Sequence, residues 1–348
     1  MLLSIILPVY NVEEYIERCV ISLEQQDIAT NDFEIIIVND GSPDNSRQVV
    51  ETLMKRFSNI LLINQENKGV SAARNEGIYR AAGQYLLFVD PDDYVLPHSL
   101  GPLLNKAILQ DLDVLYLAFD ILDAEGKLEW KTAYSDKEAM QFSGVEAYFA
   151  ARGQQVRDPD RSWAMLYKRS LLQEFSIDYP RDVPYLEDGL FLAKVFCVAG
   201  QCGFNNTPFY QRTTRPGSAT HSNLFYSERA LNGFIKAALD IQTFRKKNSL
   251  LPPQQELVNH VIAKFILLPV TACVGAVDWK AYQKIKRSIV AAGFSQLELK
   301  GCRAVYYQYA RYFNESKDWF FVYYSFQSIL KSFKFQIAKI RKAVGIAR

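Results

Sequence analysis

Four apolar runs, each closed by a polar cluster, dominate the chain before residue 94. Ser4-Ile5-Ile6-Leu7-Pro8-Val9-Tyr10, Phe33 to Val38, Ile60 to Ile63 and Tyr85 to Val89 read as buried strands. Helical segments lie between them. Asn11 has the chemistry of an N-cap, with Glu14 completing a capping box ahead of Tyr15, Ile16, Cys19, Val20 and Leu23 at helical spacing. Pro43 to Phe57 and Ser71 to Ala82 predict two more helices, the latter stopped by Gly83. Nearly continuous apolar strands between helices require an α/β fold, a Rossmann-like, mostly parallel sheet covered on both faces. Ligands of such sheets bind outside the carboxyl ends of the strands. Here those ends carry Pro8 to Tyr10, Asp40 and Asp90 to Asp93.

Composition narrows the function classes. At 348 residues the chain is one large domain or two ordinary ones, and 49% hydrophobic residues supply a real core. A net charge of +2 gives no nucleic-acid footprint. Five cysteines without C-x-x-C spacing argue against a disulfide scaffold or zinc site and for buried thiols in a reducing compartment. No secretory signal is expected at the N-terminus. The apolar run Phe265 to Val277 is shorter than the roughly 20 residues a bilayer span needs. It predicts a buried helix, bent or broken at Pro269.

Downstream the pattern is mixed. Asp113 to Phe119 reads as a strand and Asp123-Ala124-Glu125-Gly126 as a hairpin turn. Beyond Asn223 the chain turns helical and aromatic. This places a boundary near residue 225, with motif-bearing residues 1–225 and a helical region 226–348 that serves an acceptor or membrane docking. From Lys331 to Arg348 there are six basic residues and no acidic one, with Phe333, Phe335, Ile337 and Ile340 interspersed. Peripheral contact with an anionic membrane and a packed helix with a basic outer face both fit.

Several residues could carry chemistry, each beside a plainer reading. Asp90-Pro91-Asp92-Asp93 puts three carboxylates at an apolar strand end. That suits Mg²⁺ or Mn²⁺, yet it also suits the first turn of a helix begun near Pro97. Asp40 could accept from the N–H of a base, or simply shape the Asn39-Asp40-Gly41-Ser42 turn. Tyr10 is an aromatic platform or core. Lys68, Gly69 and Arg74 could face phosphates or open a solvated helix. Glu187-Asp188 holds a general base or caps a helix. Arg212, Arg215, Ser218 and His221 lie in a polar stretch that could fold over a diphosphate or remain a surface loop. Trp163 reads as core.

Four motifs in order now acquire weight together: Pro8-Val9-Tyr10-Asn11, Val38-Asn39-Asp40-Gly41-Ser42, Asn67-x-Gly69-x-Ser71-x-Ala73-Arg74-Asn75 and Phe88-Val89-Asp90-Pro91-Asp92-Asp93. With Glu187-Asp188 they resemble the family 2 glycosyltransferases over roughly residues 3 to 220. The resemblance implies the GT-A fold and an inverting, metal-dependent transfer from a nucleotide-sugar, commonly a UDP-sugar. It implies that Pro8, Tyr10 and Asp40 wall the base, and that Asp90 and Asp92 form the D-x-D pair for ribose and metal, with Asp93 beside them. Arg74 would support that acidic loop, and Asp188, next to Glu187, would be the base. Arg215 and Ser218 fall where relatives approach the diphosphate. Mn²⁺ or Mg²⁺ is the implied cofactor. A glycan or lipid-linked acceptor is the implied partner. The implied setting is bacterial surface-polysaccharide assembly, in the cytoplasm or at the inner face of the membrane. Asn39 stands where many relatives carry an aspartate, one position before the base-contacting Asp40. The competing readings are a non-catalytic scaffold that keeps the fold, and a metal-dependent phosphohydrolase, whose acidic motif would end the first strand rather than the fourth.

Overall fold

Each of the four apolar runs becomes a strand, and their polar ends line up. The computed structural model describes residues 1–151, 158–214, 227–303 and 305–343, with side chains as far as residue 331. The strands are β1 (Leu3–Val9), β2 (Phe33–Asp40), β3 (Ile60–Gln65), β4 (Tyr85–Phe88), β5 (Tyr94–Val95), β6 (Val114–Leu122), β7 (Leu128–Lys131), β8 (Met165–Lys168) and β9 (Cys202–Thr213). They form one sheet in the order β3-β2-β1-β4-β8-β6-β9-β5, with β7 paired to β6. Strands β1 to β4 pair in parallel, as does β6 with β9. Strand β8 runs antiparallel to both β4 and β6, and β5 and β7 are also antiparallel to their neighbours.

Every residue of β1 is buried, as a strand covered on both faces requires. Leu3, Ile5, Leu7 and Val9 enter one core with Ile35 and Ile37. Ile6 points the other way, toward α3 (Val70–Arg80), the third helix after α1 (Ile16–Glu24) and α2 (Ser46–Leu53). Helix α3 reaches the sheet because position 77 is glycine. A Cβ there would stand 2.4 Å from Ile6 Cγ2. The same half of the chain holds α4 (Leu100–Leu109), α5 (Gly144–Ala150), α6 (Arg169–Glu174) and α7 (Glu187–Val198). The expected hairpin turn is present, with Gly126 at φ +79°.

Local expectations fail at four helix ends. Asn11 does not cap α1. It sits at φ +55°, and the helix begins at Ile16 after Tyr15 without a side-chain cap. The N–H groups a cap would have served are taken by the loop after β2: Asn11 N donates to Ser42 Oγ (3.3 Å), Val12 N to Ser46 Oγ (3.1 Å) and Glu13 N to Asp44 Oδ2 (2.9 Å). Those acceptors also delay α2 to Ser46. Helix α3 leaves its path at Ala81 rather than Gly83, whose missing Cβ admits the backbone of Ser4. Helix α4 starts at Leu100, not Pro97.

The chain divides into two compact units, Met1–Arg181 with Leu186–Ser222, and Asp182–Tyr185 with Asn223–Arg348. The second contains α8 (Glu228–Lys247), α9 (Pro252–Gly275), α10 (Trp279–Ala291), α11 (Val305–Glu315) and α12 (Lys317–Ala343). Helix α9 is buried, as expected, but it is longer than the apolar run and is not broken. It runs unbroken through the buried Pro269, because packing on its neighbours outweighs the lost backbone bond. By length and composition it could cross a membrane, yet 78% of its most apolar stretch is buried inside the fold. All five cysteines are buried, and none is in a disulfide.

Candidate active site

The parallel register carries the strand-end clusters to one edge. Pro8 pairs with Val38 and Val9 with Asn39, so Tyr10 and Asp40 leave adjacent strands together. Pro8 is buried, whereas Tyr10 is 49% exposed. Asp40 is buried, and its oxygens are engaged. Oδ1 accepts from Gln65 Nε2 (2.7 Å) and Lys68 N (2.8 Å), and Oδ2 from Gly69 N (2.8 Å). It thereby pins the loop ahead of α3, where Gly69 takes φ +88°.

Arg74 is the centre of the site. Helix α3 buries its guanidinium, which donates from Nη1 to Asp188 Oδ1 (2.8 Å) and from Nη2 to Asp90 Oδ1 (3.1 Å). Glu187 Oε1 lies 3.5 Å from Nη1. One face of the guanidinium sits 5.1 Å from the Tyr179 ring centroid, and Asn75 fixes Tyr179 by exchanging two bonds with its backbone. Burial works against the charge. Asp188, Tyr179, Asp90 and Glu187 outweigh it and hold the arginine well above its usual range.

Three carboxylates thus meet around one guanidinium, Asp90, Glu187 and Asp188, and Asp92 and Asp93 add their charge beside Asp90. Burial, with repulsion from Asp92 and Asp188, pushes Asp90 up to about 6 against the pull of Arg74. Burial and Asp188 push Glu187 up to about 7. Burial, then Asp90 and Asp92, drive Asp93 well above the carboxylate range. Asp93 is 3% exposed; Tyr210 Oη donates to its Oδ2 (2.7 Å) and Thr213 N to its Oδ1 (2.8 Å). The Asp92 carbonyl accepts from Arg18 Nη2 (2.8 Å) and Thr213 Oγ1 (2.6 Å), while its side chain is half-buried. The acidic turn is therefore held by its backbone and by Asp93. Among the described residues no three His, Cys, Asp or Glu side chains form a ready metal cage.

Asp188 lies in the first turn of α7, one residue after Glu187, which directly follows Leu186 in the left-handed conformation at φ +59°. Its Oδ1 accepts from both Arg74 Nη1 and Ser162 Oγ (2.9 Å), and among the described residues no donor is bonded to Oδ2. Chemically, the arrangement sets one carboxylate, Asp188, against an acidic turn across a shared cation, Arg74.

The structure gathers Pro8, Tyr10, Asp40, Arg74, Asp90, Asp92, Asp93, Glu187 and Asp188 within the first unit. Arg215 and Ser218 lie outside the described residues. Arg212 belongs to β9 rather than a loop and pairs with Ile121. Trp163 stacks on Tyr210 at 4.8 Å, beside Phe119, so its core reading fits. Sequence reasoning did not single out Ser162, Tyr179, Tyr210, Thr213 or Arg18. No motif marks them, because each acts through a partner distant in the chain.

A family model described as glycosyl transferase family 2 matches residues 4–174. EpsJ of Bacillus subtilis (strain 168), an uncharacterised glycosyltransferase, is 32% identical over 219 residues, 63% of each chain. The match therefore spans just under two thirds of EpsJ's length. EpsH of the same organism, a glycosyltransferase by assignment, is 30% identical over 254 residues, 70% of this chain and 72% of EpsH. Residues 1–349 of Staphylococcus aureus TarS, solved with UDP-GlcNAc, superpose with a TM-score of 0.59 at 21% identity, covering 86% of this chain and 95% of that one. The expected GT-A architecture with a helical C-terminal region is the fold observed. By these matches and the ordered motifs on one sheet edge, the chain belongs to glycosyl transferase family 2.

Proposed function

We propose that this chain is an inverting glycosyltransferase that moves one sugar from a nucleotide-diphosphate donor, a UDP-sugar, to an acceptor hydroxyl. The observation that carries the reading is the Arg74 fork, which ties the acidic turn at Asp90 to the base Asp188. TarS, a poly(ribitol-phosphate) N-acetylglucosaminyltransferase by name, has been solved with UDP-GlcNAc and supports the donor class. The acceptor is a glycan or a lipid-linked precursor, and the setting is bacterial surface-polysaccharide assembly on the cytoplasmic side. Residues 1–225 form the catalytic part and 226–348 an accessory one.

A divalent ion fits the residues present. Mg²⁺ and Mn²⁺ are commonly held by one or two carboxylates together with substrate phosphates rather than by an all-protein cage. The surplus of carboxylates over Arg74 favours a cation there. Asp92 would hold it, while Asp93, engaged by Tyr210 and Thr213, sets the position of the turn. When bound, the ion neutralises charge on the departing diphosphate.

The protein's own groups do the rest. Tyr10 offers an exposed ring for the base beside Pro8. Asp40 fixes the 67–69 loop under it and retains one acceptor site for a base N–H. Asp90 receives the ribose. Asp188 takes the acceptor's proton on Oδ2 as the acceptor oxygen attacks the anomeric carbon from the face opposite the diphosphate, which inverts that centre. A positioned base of this kind contributes about 10²- to 10⁴-fold. Arg215 and Ser218 are assigned to the diphosphate by sequence alone.

Calorimetric titration of UDP and UDP-sugars, with and without Mn²⁺, tests the reading. Metal-dependent binding lost in Asp92→Ala, and turnover lost in Asp188→Asn with binding retained, are expected. Failure of every nucleotide to bind under any metal condition overturns it, and binding without any transfer favours a scaffold.

A further inference from the structure

Helix α12 carries two apolar faces where a packed terminal helix needs one. The inner face is accounted for. Phe320, Phe321 and Ser325 are buried, and Phe321 lies against Trp279 (5.1 Å) and Tyr282 (4.8 Å) of α10. Ser325 Oγ donates to the Val274 carbonyl of α9 (3.4 Å). With that face anchored, Trp319, Val322, Tyr323, Phe326, Ile329 and Leu330 remain exposed, Trp319 by 61% and Phe326 by 57%. At 3.6 residues per turn these six fall within about 60° of Phe326 on the helix wheel, a continuous stripe along one side. The sequence repeats the spacing at Phe333, Ile337 and Ile340, so the stripe's register extends over a helix about 40 Å long.

Charge selects the occupant. After Asp318 no acidic residue occurs, whereas Lys331, Lys334, Lys339, Arg341, Lys342 and Arg348 follow. Two copies of such a helix pairing through the stripe would bring like charges together with no counter-charge on the segment. A lipid surface rich in anionic headgroups supplies that counter-charge and an apolar layer for the stripe at once. Trp319 and Tyr323 are residue types that favour the headgroup level. Six basic residues from 331 onward make spanning costly and lying in the interface favourable.

We infer that α12 docks this protein on an anionic membrane surface, with the Trp319–Leu330 stripe entering the headgroup layer and the basic residues after it binding the headgroups. This inference is independent of the catalytic reading. The test is flotation of the full chain with phosphatidylglycerol–phosphatidylcholine vesicles against pure phosphatidylcholine. Binding should be about tenfold or more tighter to the anionic vesicles and should weaken with salt. Phe326→Asp with Ile329→Asp should lower it about tenfold with the melting temperature unchanged, since both side chains are exposed. Lys334→Gln with Arg341→Gln should remove the anionic preference without touching the stripe. Equal binding to both vesicles, no binding, or indifference to the aspartates overturns the inference. So does a dimer in sedimentation that Phe326→Asp dissociates, which would give the stripe to a second copy.

Discussion

Arg74 Nη1 donates to Asp188 Oδ1 at 2.8 Å, joining residues 114 positions apart in the chain. Because Nη2 of the same guanidinium holds Asp90, one planar side chain sets the acidic turn and the Asp188 carboxylate in a common frame.

Replacing that side chain should separate charge from geometry. Arg74→Ala leaves three carboxylates around a buried gap, and breaking a buried ionic network in this way costs about 3–5 kcal/mol. Arg74→Lys keeps the charge, but a single ammonium cannot fork between Asp90 and Asp188. The lysine variant should fold, and its turnover should fall about 100-fold because both carboxylates lose their fixed orientation. Urea unfolding and initial rates report the two effects. An alanine variant as stable as the parent would remove Arg74 from the centre of the site.

The stability of this cluster should fall with rising pH. Burial, reinforced by Asp188, raises Glu187 from 4.5 to about 7, so the folded chain binds that proton more tightly than the unfolded one. The contribution is full below the unfolded value of 4.5 and is lost as pH rises through about 7. It amounts to roughly 1–3 kcal/mol. Glu187→Gln does not titrate. The parent should therefore lose stability relative to Glu187→Gln between about pH 5 and about pH 8 in urea unfolding. A constant difference between the two proteins across that range would sink the idea.

What the sequence made legible follows from range. The four strands and their acidic or aromatic ends were readable because buried parallel strands are local apolar runs, and parallel register alone aligns their ends. The bond between Arg74 and Asp188 was not, since it depends on α7 returning across the sheet, and Ser162 reaches Asp188 only through the same return. Asn11 shows the reverse error. The capping-box pattern with Glu14 is local, but the acceptors that settled the turn, Ser42, Asp44 and Ser46, belong to the next loop. Asp40 was placed correctly at a strand end, while its three protein donors were not foreseeable from a turn motif.

Asp40→Asn tests whether that residue serves the loop as well as the nucleotide. An amide in either orientation sets an N–H donor against Lys68 N or Gly69 N, both of which now donate to the carboxylate. One orphaned backbone donor costs about 1–3 kcal/mol. The variant should melt earlier and bind UDP more weakly, the two losses arising together from a loosened 67–69 loop. Weaker UDP binding at an unchanged melting temperature would instead mean that Asp40 acts on the base alone.

Tyr210→Phe probes how the acidic turn is held. The Tyr210 hydroxyl accepts from Asp90 N (3.1 Å) and donates to Asp93 Oδ2 (2.7 Å), bridging both ends of the motif from β9. Phenylalanine keeps the ring that stacks on Trp163 but strands the Asp90 amide and one oxygen of the buried Asp93. Leaving such groups without partners costs about 1–3 kcal/mol each. With the turn loosened, Asp92 should present its carboxylate less consistently, and Mn²⁺-dependent UDP binding should weaken about tenfold, since a site depends on the shell that fixes its ligands. Thr213→Val is the milder comparison. It removes the hydroxyl bonded to the Asp92 carbonyl while the Thr213 backbone amide continues to serve Asp93, so a loss near 1 kcal/mol is expected. If Tyr210→Phe matches the parent in both stability and metal-dependent binding, the turn is held by Thr213 and Arg18 without the tyrosine.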